Sequence, residues 1–422
     1  MISFDRIDKI NTDAVSIDPF WNIGEEKELK MHRIHAYPAK FPAFITTKAL
    51  GYAKQNGLSV SRMADIFCGC GTVAFEAKRN NIDFWGCDIN PVATLIARAK
   101  SKKYSKKRLE AYLDLIVNHF DSLENRFGSY MSANERLKYW YEEDKFYEIQ
   151  RLKSSIEAIV PASSEYRYFF LCAFSNILKA SSRWLTKSIK PQVDPQKELI
   201  DVLFAFREQC KFMIGANEES DVLGVSETKV VTANFLDESV DKPKVDMIVT
   251  SPPYVTSYEY ADLHQLSSLW LGYVDDYRNL RNGSIGSLYH QYSFEDELKQ
   301  LNITGNKVLS SLLKSDKSKA RAVAKYFLDM QRVTNACYSM LTDDGLVLFV
   351  IGNTEYKGVR IDNAKHLSES LLNSGFKKIL MTKRKITRKI LTPYRDKYGQ
   401  FSSDVNSKKV YSEEFIVIGR KS

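Results

Sequence analysis

Apolar and polar positions along the chain alternate between two spacings. Four short apolar runs are bounded by polar residues or glycine, at 63–67, 82–87, 247–250 and 345–351. Such runs predict buried strands, and the helical spacing found between several of them predicts a parallel sheet with helices on its faces. Two extended segments, 377–381 and 414–418, close the chain and predict a late antiparallel pair. The pattern therefore predicts an α/β fold with a doubly wound, mostly parallel sheet.

Helical spacing dominates the long stretch between the second and third apolar runs. The segment 108–116, with sequence RLEAYLDLI, is typical of it. The stretch is too long to be a simple crossover between strands, so we expect a largely helical inserted subdomain at 101–224. A second insertion, polar and containing glycine, is expected at 255–325. The remaining residues would form the α/β domain itself.

A glycine-rich turn follows the first apolar run. The segment 65–72, with sequence DIFCGCGT, leads from a strand through G-x-G into a helical stretch. Glycines let the backbone approach a ligand, and the N–H groups at the start of a helix attract a carboxylate or a phosphate. The run 82–87 then ends in Asp88, which is placed to accept hydrogen bonds from two ribose hydroxyls. This order of elements indicates a nucleoside cofactor, and NAD would satisfy it as well.

A second turn, Ser251-Pro252-Pro253-Tyr254, follows the run 247–250. Two consecutive prolines make a stiff turn that lacks N–H groups and leaves carbonyls free to accept hydrogen bonds. A hydroxyl before the turn and a flat ring after it suit a planar group that carries an exocyclic amino group. An ordinary turn at the end of a strand is the alternative. Nothing in a dehydrogenase requires this sequence, so its presence disfavours NAD.

Together the two turns resemble the amino-methyltransferases of DNA, which transfer a methyl group from S-adenosylmethionine to an exocyclic nitrogen. In that family F-x-G-x-G is the cofactor motif and [DNS]-P-P-[YFW] is the catalytic motif. The serine form is similar to the cytosine-N4 branch of restriction-modification methylases. The segment 35–42, with sequence HAYPAKFP, is similar to the one that closes over the methionine end of the cofactor. The resemblance covers roughly residues 32–100 and 228–355.

The resemblance implies a Rossmann-like, class I methyltransferase fold, with a cofactor half at 1–100 and a catalytic half at 225–422. It makes the insertion at 101–224 a candidate target-recognition region, although the insertion at 255–325 could also read bases. The catalytic residues that it implies are Ser251, Pro252, Pro253 and Tyr254. The cofactor-binding residues that it implies are Tyr37, Pro38, Lys40, Asp65, Phe67, Gly69, Gly71, Thr72, Asp88 and Asn234.

The expected reaction is methylation of cytosine N4 in duplex DNA. The hydroxyl of Ser251 and the carbonyl of Pro252 would accept the two amino protons, while Tyr254 stacks on the base after it has been flipped out. Serine rather than aspartate at the first position favours cytosine. Methylation of adenine N6, or of RNA, is the alternative, and a nucleic-acid-binding protein with a vestigial cofactor fold is the non-enzymatic one.

Composition agrees with a polyanionic partner. The chain has 422 residues and a formal net charge of +9, with its basic residues spread over many segments. This charge suits double-stranded DNA without identifying it. Three dense basic stretches, 98–108, 314–321 and 383–389, are candidates for phosphate contact. A cognate restriction endonuclease acting on the same site would be a further partner, and the oligomeric state stays open.

The cysteines and the hydropathy pattern bound the remaining possibilities. Six cysteines form no CxxC pair and no His/Cys cluster with zinc spacing, so no metal site is expected. No apolar run reaches the length of a membrane span. We therefore expect a reduced, cytoplasmic protein.

Overall fold

The computed structural model describes residues 1–25, 27–123, 129–220, 224–255, 260–286, 294–386, 394–395, 402, 404, 406, 408–409 and 412–421. The strands in these ranges are β1 (Ile2–Phe4), β2 (Arg62–Asp65), β3 (Asp83–Asp88), β4 (Thr228–Thr232), β5 (Val245–Thr250), β6 (Leu341–Ile351), β7 (Thr354–Tyr356), β8 (Val359–Ile361), β9 (Lys378–Lys385), β10 (Tyr394–Arg395), β11 (Lys408–Lys409) and β12 (Glu413–Arg420).

The α-helices of the described ranges are distributed along the whole chain. They are α1 (Ala43–Gln55), α2 (Thr72–Arg79), α3 (Pro91–Lys100), α4 (Lys106–Ser122), α5 (Glu135–Trp140), α6 (Glu143–Ile159), α7 (Tyr166–Ile177), α8 (Val202–Glu219), α9 (Tyr260–Leu263), α10 (Gln265–Trp270), α11 (Phe294–Glu297), α12 (Ile303–Leu313), α13 (Lys317–Met340) and α14 (Asn363–Asn373). Within these ranges, no helix combines the length and the apolar character that crossing a membrane requires.

Eight strands form one sheet in the order β1-β9-β12-β6-β5-β2-β3-β4. The five strands β6, β5, β2, β3 and β4 are parallel to one another. Strand β12 is antiparallel to both β6 and β9, and β1 is antiparallel to β9. The predicted mostly parallel, doubly wound sheet with a late antiparallel pair is confirmed. Because β3 and β4 lie on one side of β2 while β5 and β6 lie on the other, the strand order reverses between β2 and β5.

Helices cover both faces of the sheet, as the alternation of side chains along the strands requires. Met63 and Met247 face one layer, which contains α1 and α2. Their chain neighbours Ala64 and Ile248 face the other layer, which contains α12, α13 and α14. The central strands of the sheet are therefore covered on both faces, and their ends are where a ligand can approach them.

Helices α4 to α8 occupy most of the stretch expected to be a helical insertion. They enclose a core of their own, to which Leu109, Ile149, Phe170 and Phe206 contribute, and this core extends to Ile96 of α3. The helices therefore pack against the sheet domain through α3, the helix that follows β3 in the chain. The role of this region in reading DNA stays a prediction.

The stretch expected to be a second insertion, 255–325, is less uniform. It carries α9 to α12, and residues 256–259 and 287–293 of it lie outside the described part. Helix α13 crosses the expected boundary at residue 325 and packs with Val323 and Phe327 in the core beneath the sheet. The start of this helix was not predicted from the hydrophobic pattern, because its first residues include the charged Lys317, Lys319 and Arg321.

Candidate active site

The two sequence motifs lie side by side at the carboxyl ends of β2 and β5. These strands are hydrogen-bonded neighbours, with Met63 opposite Met247 and Ala64 opposite Ile248. The Thr250 hydroxyl at the end of β5 donates to the Asp65 carboxylate at the end of β2, over 2.6 Å. The crevice outside the ends of the strands, at the point where the strand order reverses, is where open α/β sheets bind ligands. The fold thus brings the glycine turn and the Pro-Pro turn to one site.

Asp65 is buried beneath this crevice. Its Oδ1 accepts hydrogen bonds from Thr250 and from the backbone N–H of Phe67, the latter at 3.1 Å. Burial raises the pKa of Asp65 to about 7, against the lowering effect of these two hydrogen bonds. Asp65 therefore links the glycine turn to the end of β5, while Phe67 packs edge-on against Phe235.

The glycine turn has the close packing that the motif predicts. Gly71 has a φ of 75° and precedes the first residue of α2. A Cβ at this position would lie 2.6 Å from the Cα and Cβ atoms of Ala97 in α3. Gly69 has a φ of 46°, and a Cβ there would meet its nearest neighbour, the ring of Tyr37, at 3.6 Å. Gly71 is thus required for helix packing and Gly69 for the path of the turn.

Asp88 lies at the end of β3 and braces the glycine turn. Its two carboxylate oxygens accept hydrogen bonds from the backbone N–H groups of Gly69 and Asn90, each at 2.8 Å. Burial raises the pKa of Asp88, and these two hydrogen bonds oppose the shift. An ionised carboxylate has about four acceptor sites, so two remain for ribose hydroxyls. The residue has the position and the spare acceptor capacity that the prediction requires.

Thr72 offers a second sign that the turn receives a ligand. It is the first residue of α2, it is buried, and its hydroxyl has no hydrogen-bond partner among the described residues. A buried hydroxyl without a partner is costly unless a ligand or water satisfies it. Together with the free N–H groups at the start of α2, it would suit the polar methionine end of S-adenosylmethionine.

Tyr37 places the expected closing loop over the glycine turn. Its ring is the nearest neighbour of Gly69, stacks on Tyr260 at 6.4 Å and lies 5.0 Å from the ring of His264. Burial raises the pKa of Tyr37, and the nearby charge of Asp88 adds to the shift. Pro38 follows it, half-buried. Tyr37 is thus next to the predicted ribose acceptor.

Two other predicted cofactor residues are engaged elsewhere. The ammonium of Lys40 bonds to the Glu28 carboxylate and to the His32 carbonyl, each at 2.8 Å, so the structure turns it toward the N-terminal segment. Asn234 follows β4, where its Oδ1 accepts the N–H of Leu236 and its Nδ2 donates to the carbonyl of Gly283. Asn234 is near the end of β3 but orders its own loop.

The Pro-Pro turn is held by residues far away in the sequence. The hydroxyl of Ser251 donates to the carbonyl of Val350, at 3.0 Å. The hydroxyl of Tyr254 donates to Glu414 at 2.9 Å, and a Cβ on Gly352 would lie 3.2 Å from the Tyr254 ring. Because the only proton of Ser251 is used internally, its oxygen can act toward a ligand as an acceptor.

Sequence reasoning missed several residues at this site. Asn90 caps α3 through its Oδ1, which accepts the N–H of Val92, and its Nδ2 contacts Nδ1 of His264 at 2.6 Å. Burial lowers the pKa of His264 to about 3, so the ring is neutral and Nδ1 accepts from the amide. Asn90-Pro91 is a recognisable start of a helix, but nothing near His264 in the sequence indicates its partner.

The densest basic stretch is largely occupied by contacts inside the protein. Lys100 is buried, and Arg98 donates to the carbonyl of Val230. Lys102 pairs with Glu165, and Lys106 with Glu218. The hypothesis of phosphate contact fails for Lys100 because its ammonium faces Cys70 under the glycine turn. Arg388 and Lys389 of the last basic stretch lie outside the described residues.

All six cysteines are buried and free of disulfide bonds. Within the ranges that the structure describes, no three His, Cys, Asp or Glu side chains come together as a metal site would require.

A mostly parallel sheet of this order, with a glycine turn and a Pro-Pro turn at its switch point, defines a class of protein, the Rossmann-like methyltransferases that use S-adenosylmethionine. A family model described as D12 class N6 adenine-specific DNA methyltransferase matches residues 52–339, and the chain belongs to that family. Its cofactor is S-adenosylmethionine and its substrate class is DNA, as expected from the two motifs.

Relatives of known name agree at this level. The chain is 23% identical over 391 residues to the type II methyltransferase M.MvaI of Kocuria varians, covering 86% of this chain and 85% of that protein. It is 24% identical over 360 residues to the type II methyltransferase M.AvaI of Anabaena variabilis, covering 75% and 73%. A solved precorrin-6y C5,15-methyltransferase from Geobacter metallireducens GS-15 overlaps 92% of each chain, but at 10% identity and a TM-score of 0.31 it bears on nothing further.

The family corrects one prediction. Cytosine N4 was expected as the methyl acceptor, and the family model is that of the N6-adenine class, so this prediction is wrong. The expectation rested on a serine at the first position of the Pro-Pro motif. The oxygen of Ser251 can accept a proton from an exocyclic amino group on either ring, so the residue does not report which base carries that group.

Proposed function

We propose that this chain transfers a methyl group from S-adenosylmethionine to the exocyclic N6 of adenine in duplex DNA. One observation carries the proposal: the contact between Thr250 and Asp65 places the Pro-Pro turn beside the glycine turn at the switch point. Membership of the N6-adenine class supplies the base. The two relatives are named type II methyltransferases, which supports a role as the modification part of a restriction-modification system, with a cognate endonuclease as partner.

Asp88, Thr72 and the backbone of the glycine turn would hold the cofactor, with Tyr37 above them. Asp88 has acceptor sites left for the ribose, and the start of α2 has N–H groups for the carboxylate. When bound, S-adenosylmethionine supplies an electrophilic methyl group on a sulfonium. The work of the chain is to bring a weak nucleophile to that methyl group.

The adenine amino nitrogen is a weak nucleophile because its lone pair is delocalised into the ring. Ser251 and the Pro252 carbonyl would accept hydrogen bonds from its two N–H groups and so favour a pyramidal nitrogen whose lone pair points at the methyl group. Because the hydroxyl of Ser251 donates its proton to the Val350 carbonyl, its oxygen lone pairs would be available to the amino group of the base. After the methyl group has been transferred, the nitrogen has become acidic and releases one amino proton to water. The rate then rests on positioning and on oriented acceptors.

The target base is inside a duplex and has to leave the stack before it can react. Tyr254 would stack on the extruded base at the end of the Pro-Pro turn. This follows from the position of its ring directly after the two prolines. Helices α4 to α8 stay the proposed target-recognition region, and they share a core with α3, the helix that follows β3.

The product identifies the reaction. The chain is incubated with methyl-labelled S-adenosylmethionine and unmethylated duplex DNA, the DNA is digested to nucleosides, and these are separated and weighed by mass spectrometry. We expect N6-methyladenosine in its deoxy form. Deoxy-N4-methylcytidine would overturn the base and leave the fold and cofactor intact. A parallel incubation with RNA tests whether the chain methylates RNA. Absence of labelled nucleosides from both DNA and RNA would refute the methyltransferase activity.

A further inference from the structure

Strand β12 brings an acidic residue to the catalytic edge of the sheet. Because β12 is antiparallel to β6, its first residues lie where the parallel strands end. Glu414 is the second residue of β12, and its Oε1 accepts the hydroxyl of Tyr254 at 2.9 Å. Its other oxygen accepts the guanidinium of Arg384, which lies directly opposite on β9. A continuous connection thus runs from Arg384 through Glu414 to Tyr254.

We propose that Glu414 and Arg384 are positioning residues that hold the ring of Tyr254 in the orientation in which it stacks on the extruded base. The inference rests on the proposed function, because it assigns a use to the orientation of Tyr254. Neither residue touches substrate or cofactor. Arg384 was a candidate for phosphate contact in the sequence, but the structure buries it between Glu414 and the ring of Phe44, which leaves it no access to DNA.

The geometry suits this role because it fixes the ring at both of its ends. A tyrosine side chain turns about two bonds near the backbone, so a bond at the far hydroxyl fixes the direction of the whole ring. Burial raises the pKa of Tyr254, and the charge of Glu414 raises it further, so the hydroxyl keeps its proton and donates. Gly352 packs against the ring: a Cβ added to Gly352 would lie 3.2 Å from the nearest ring carbon of Tyr254. The ring therefore has little room to move on that side.

The ion pair with Arg384 also explains why the Glu414 carboxylate keeps its orientation toward Tyr254. An acceptor held by a buried guanidinium has its orientation fixed by a charge-assisted hydrogen bond, which is stronger than a neutral one. The side chain of Arg384 is 6% exposed and that of Glu414 is 16% exposed, so solvent screens this pair less than an ordinary surface pair. A solvated glutamate would be free to change rotamer and would not order the ring.

The adjacent pair on the same two strands provides a matched control. Glu413 precedes Glu414, but its carboxylate is 38% exposed and pairs with Lys383 at 2.9 Å instead of with Tyr254. Changing Glu413 to alanine removes an acidic residue from the same end of β12 while leaving the connection to Tyr254 intact. It separates the loss of a charge on this strand from the loss of this one hydrogen bond.

A double-mutant cycle tests the proposal on the full-length chain. Tyr254→Phe, Glu414→Ala and the double variant are compared in single-turnover methylation of DNA, with binding of S-adenosylmethionine measured by calorimetry. We expect each single change to lower the methyl-transfer rate about tenfold. The double change should lower it no further, because either single change already removes the hydrogen bond between Tyr254 and Glu414. Cofactor affinity should stay within about twofold, and Glu413→Ala should keep the wild-type rate.

The result that would overturn the positioning role differs from the result that would overturn the proposed methyltransferase activity. Rates of Tyr254→Phe and Glu414→Ala equal to that of the wild type, or losses that multiply in the double variant, would overturn the positioning role while leaving the methyltransferase in place. Absence of methylation by the wild type would overturn both. Tyr254→Phe keeps the Arg384–Glu414 pair intact, so it tests the proposal even where Glu414→Ala fails to fold.

Discussion

The glycine turn and the Pro-Pro turn lie side by side, but they are held in different ways. The glycine turn is braced by residues close to it in the sequence: Asp88 accepts the Gly69 N–H, and Ala97 packs against Gly71. The Pro-Pro turn depends on distant strands, with Val350 and Glu414 accepting from Ser251 and Tyr254. One turn is built within a single βαβ unit, whereas the other is built by the whole sheet.

This difference divides the proposed work of the site. A cofactor turn made from one local unit can form wherever that unit folds, which explains why a short motif indicates it. A catalytic turn supported from β6 and β12 depends on the correct register of strands that are almost 100 residues or more away in the chain. Substitutions in the two turns should therefore separate binding of the cofactor from transfer of the methyl group.

The largest effect is expected in the glycine turn. Gly71→Ala adds a Cβ 2.6 Å from the backbone of Ala97 and forces a side chain into a left-handed conformation with a φ of 75°. Strain and overpacking together should lower the affinity for S-adenosylmethionine by about 100-fold or more, measured by calorimetry. The matched variant Gly69→Ala shares the left-handed strain, at a φ of 46°, but its Cβ would meet its nearest neighbour, the Tyr37 ring, at 3.6 Å, so the affinity should fall clearly less. Equal losses would show that packing against α3 is not the reason for Gly71.

A smaller, purely catalytic effect is expected in the Pro-Pro turn. Ser251→Ala removes one acceptor of an amino proton and should lower the rate of methyl transfer by about tenfold to 100-fold, because oriented polar groups act mainly in the transition state. Affinity for S-adenosylmethionine should not change, since the hydroxyl of Ser251 bonds to Val350 on β6 and not to the glycine turn. Rates and affinities are measured on the same preparations. Ser311→Ala, on the exposed face of α12, is the control and should behave as the wild type. Loss of cofactor binding in Ser251→Ala would break the separation between the two turns.

The smallest effect is expected where the turns meet, at Asp65. Burial raises its pKa to about 7 from the ordinary value of 3.8, so the folded chain keeps a proton that the unfolded chain has already lost. The free energy of unfolding therefore falls as pH rises from about 4 to about 8, and about 1.4 kcal/mol of this fall lies between pH 6 and pH 8. Asp65→Asn, which mimics the protonated form, should lack this contribution. The difference in urea unfolding between variant and wild type across this range measures it, and a difference that does not vary with pH would contradict it.

The sequence by itself determined the fold class and the location of both turns. Short apolar runs and the helical stretches between them are local patterns, and the parallel sheet was predicted from their alternation. Gly69, Gly71 and Asp88 could be found because the motif, the bracing hydrogen bond and the helix that packs against it lie within about 30 residues. The sequence also showed that the first position of the Pro-Pro motif carries a neutral hydroxyl, that of Ser251. It did not show which base is methylated, because a hydroxyl oxygen can accept a hydrogen bond from the amino group of either adenine or cytosine.

The tertiary structure decided which side chains support the turns. Lys40 turned to Glu28 and Lys100 was buried against Cys70, because their partners come from packing that local sequence does not encode. Glu414 and Arg384 reach Tyr254 only because β12 is inserted antiparallel between β6 and β9, which brings the start of one strand and the end of another to the catalytic edge. Strand order and direction place residues 160 positions apart within a hydrogen bond, and no spacing along the chain records it.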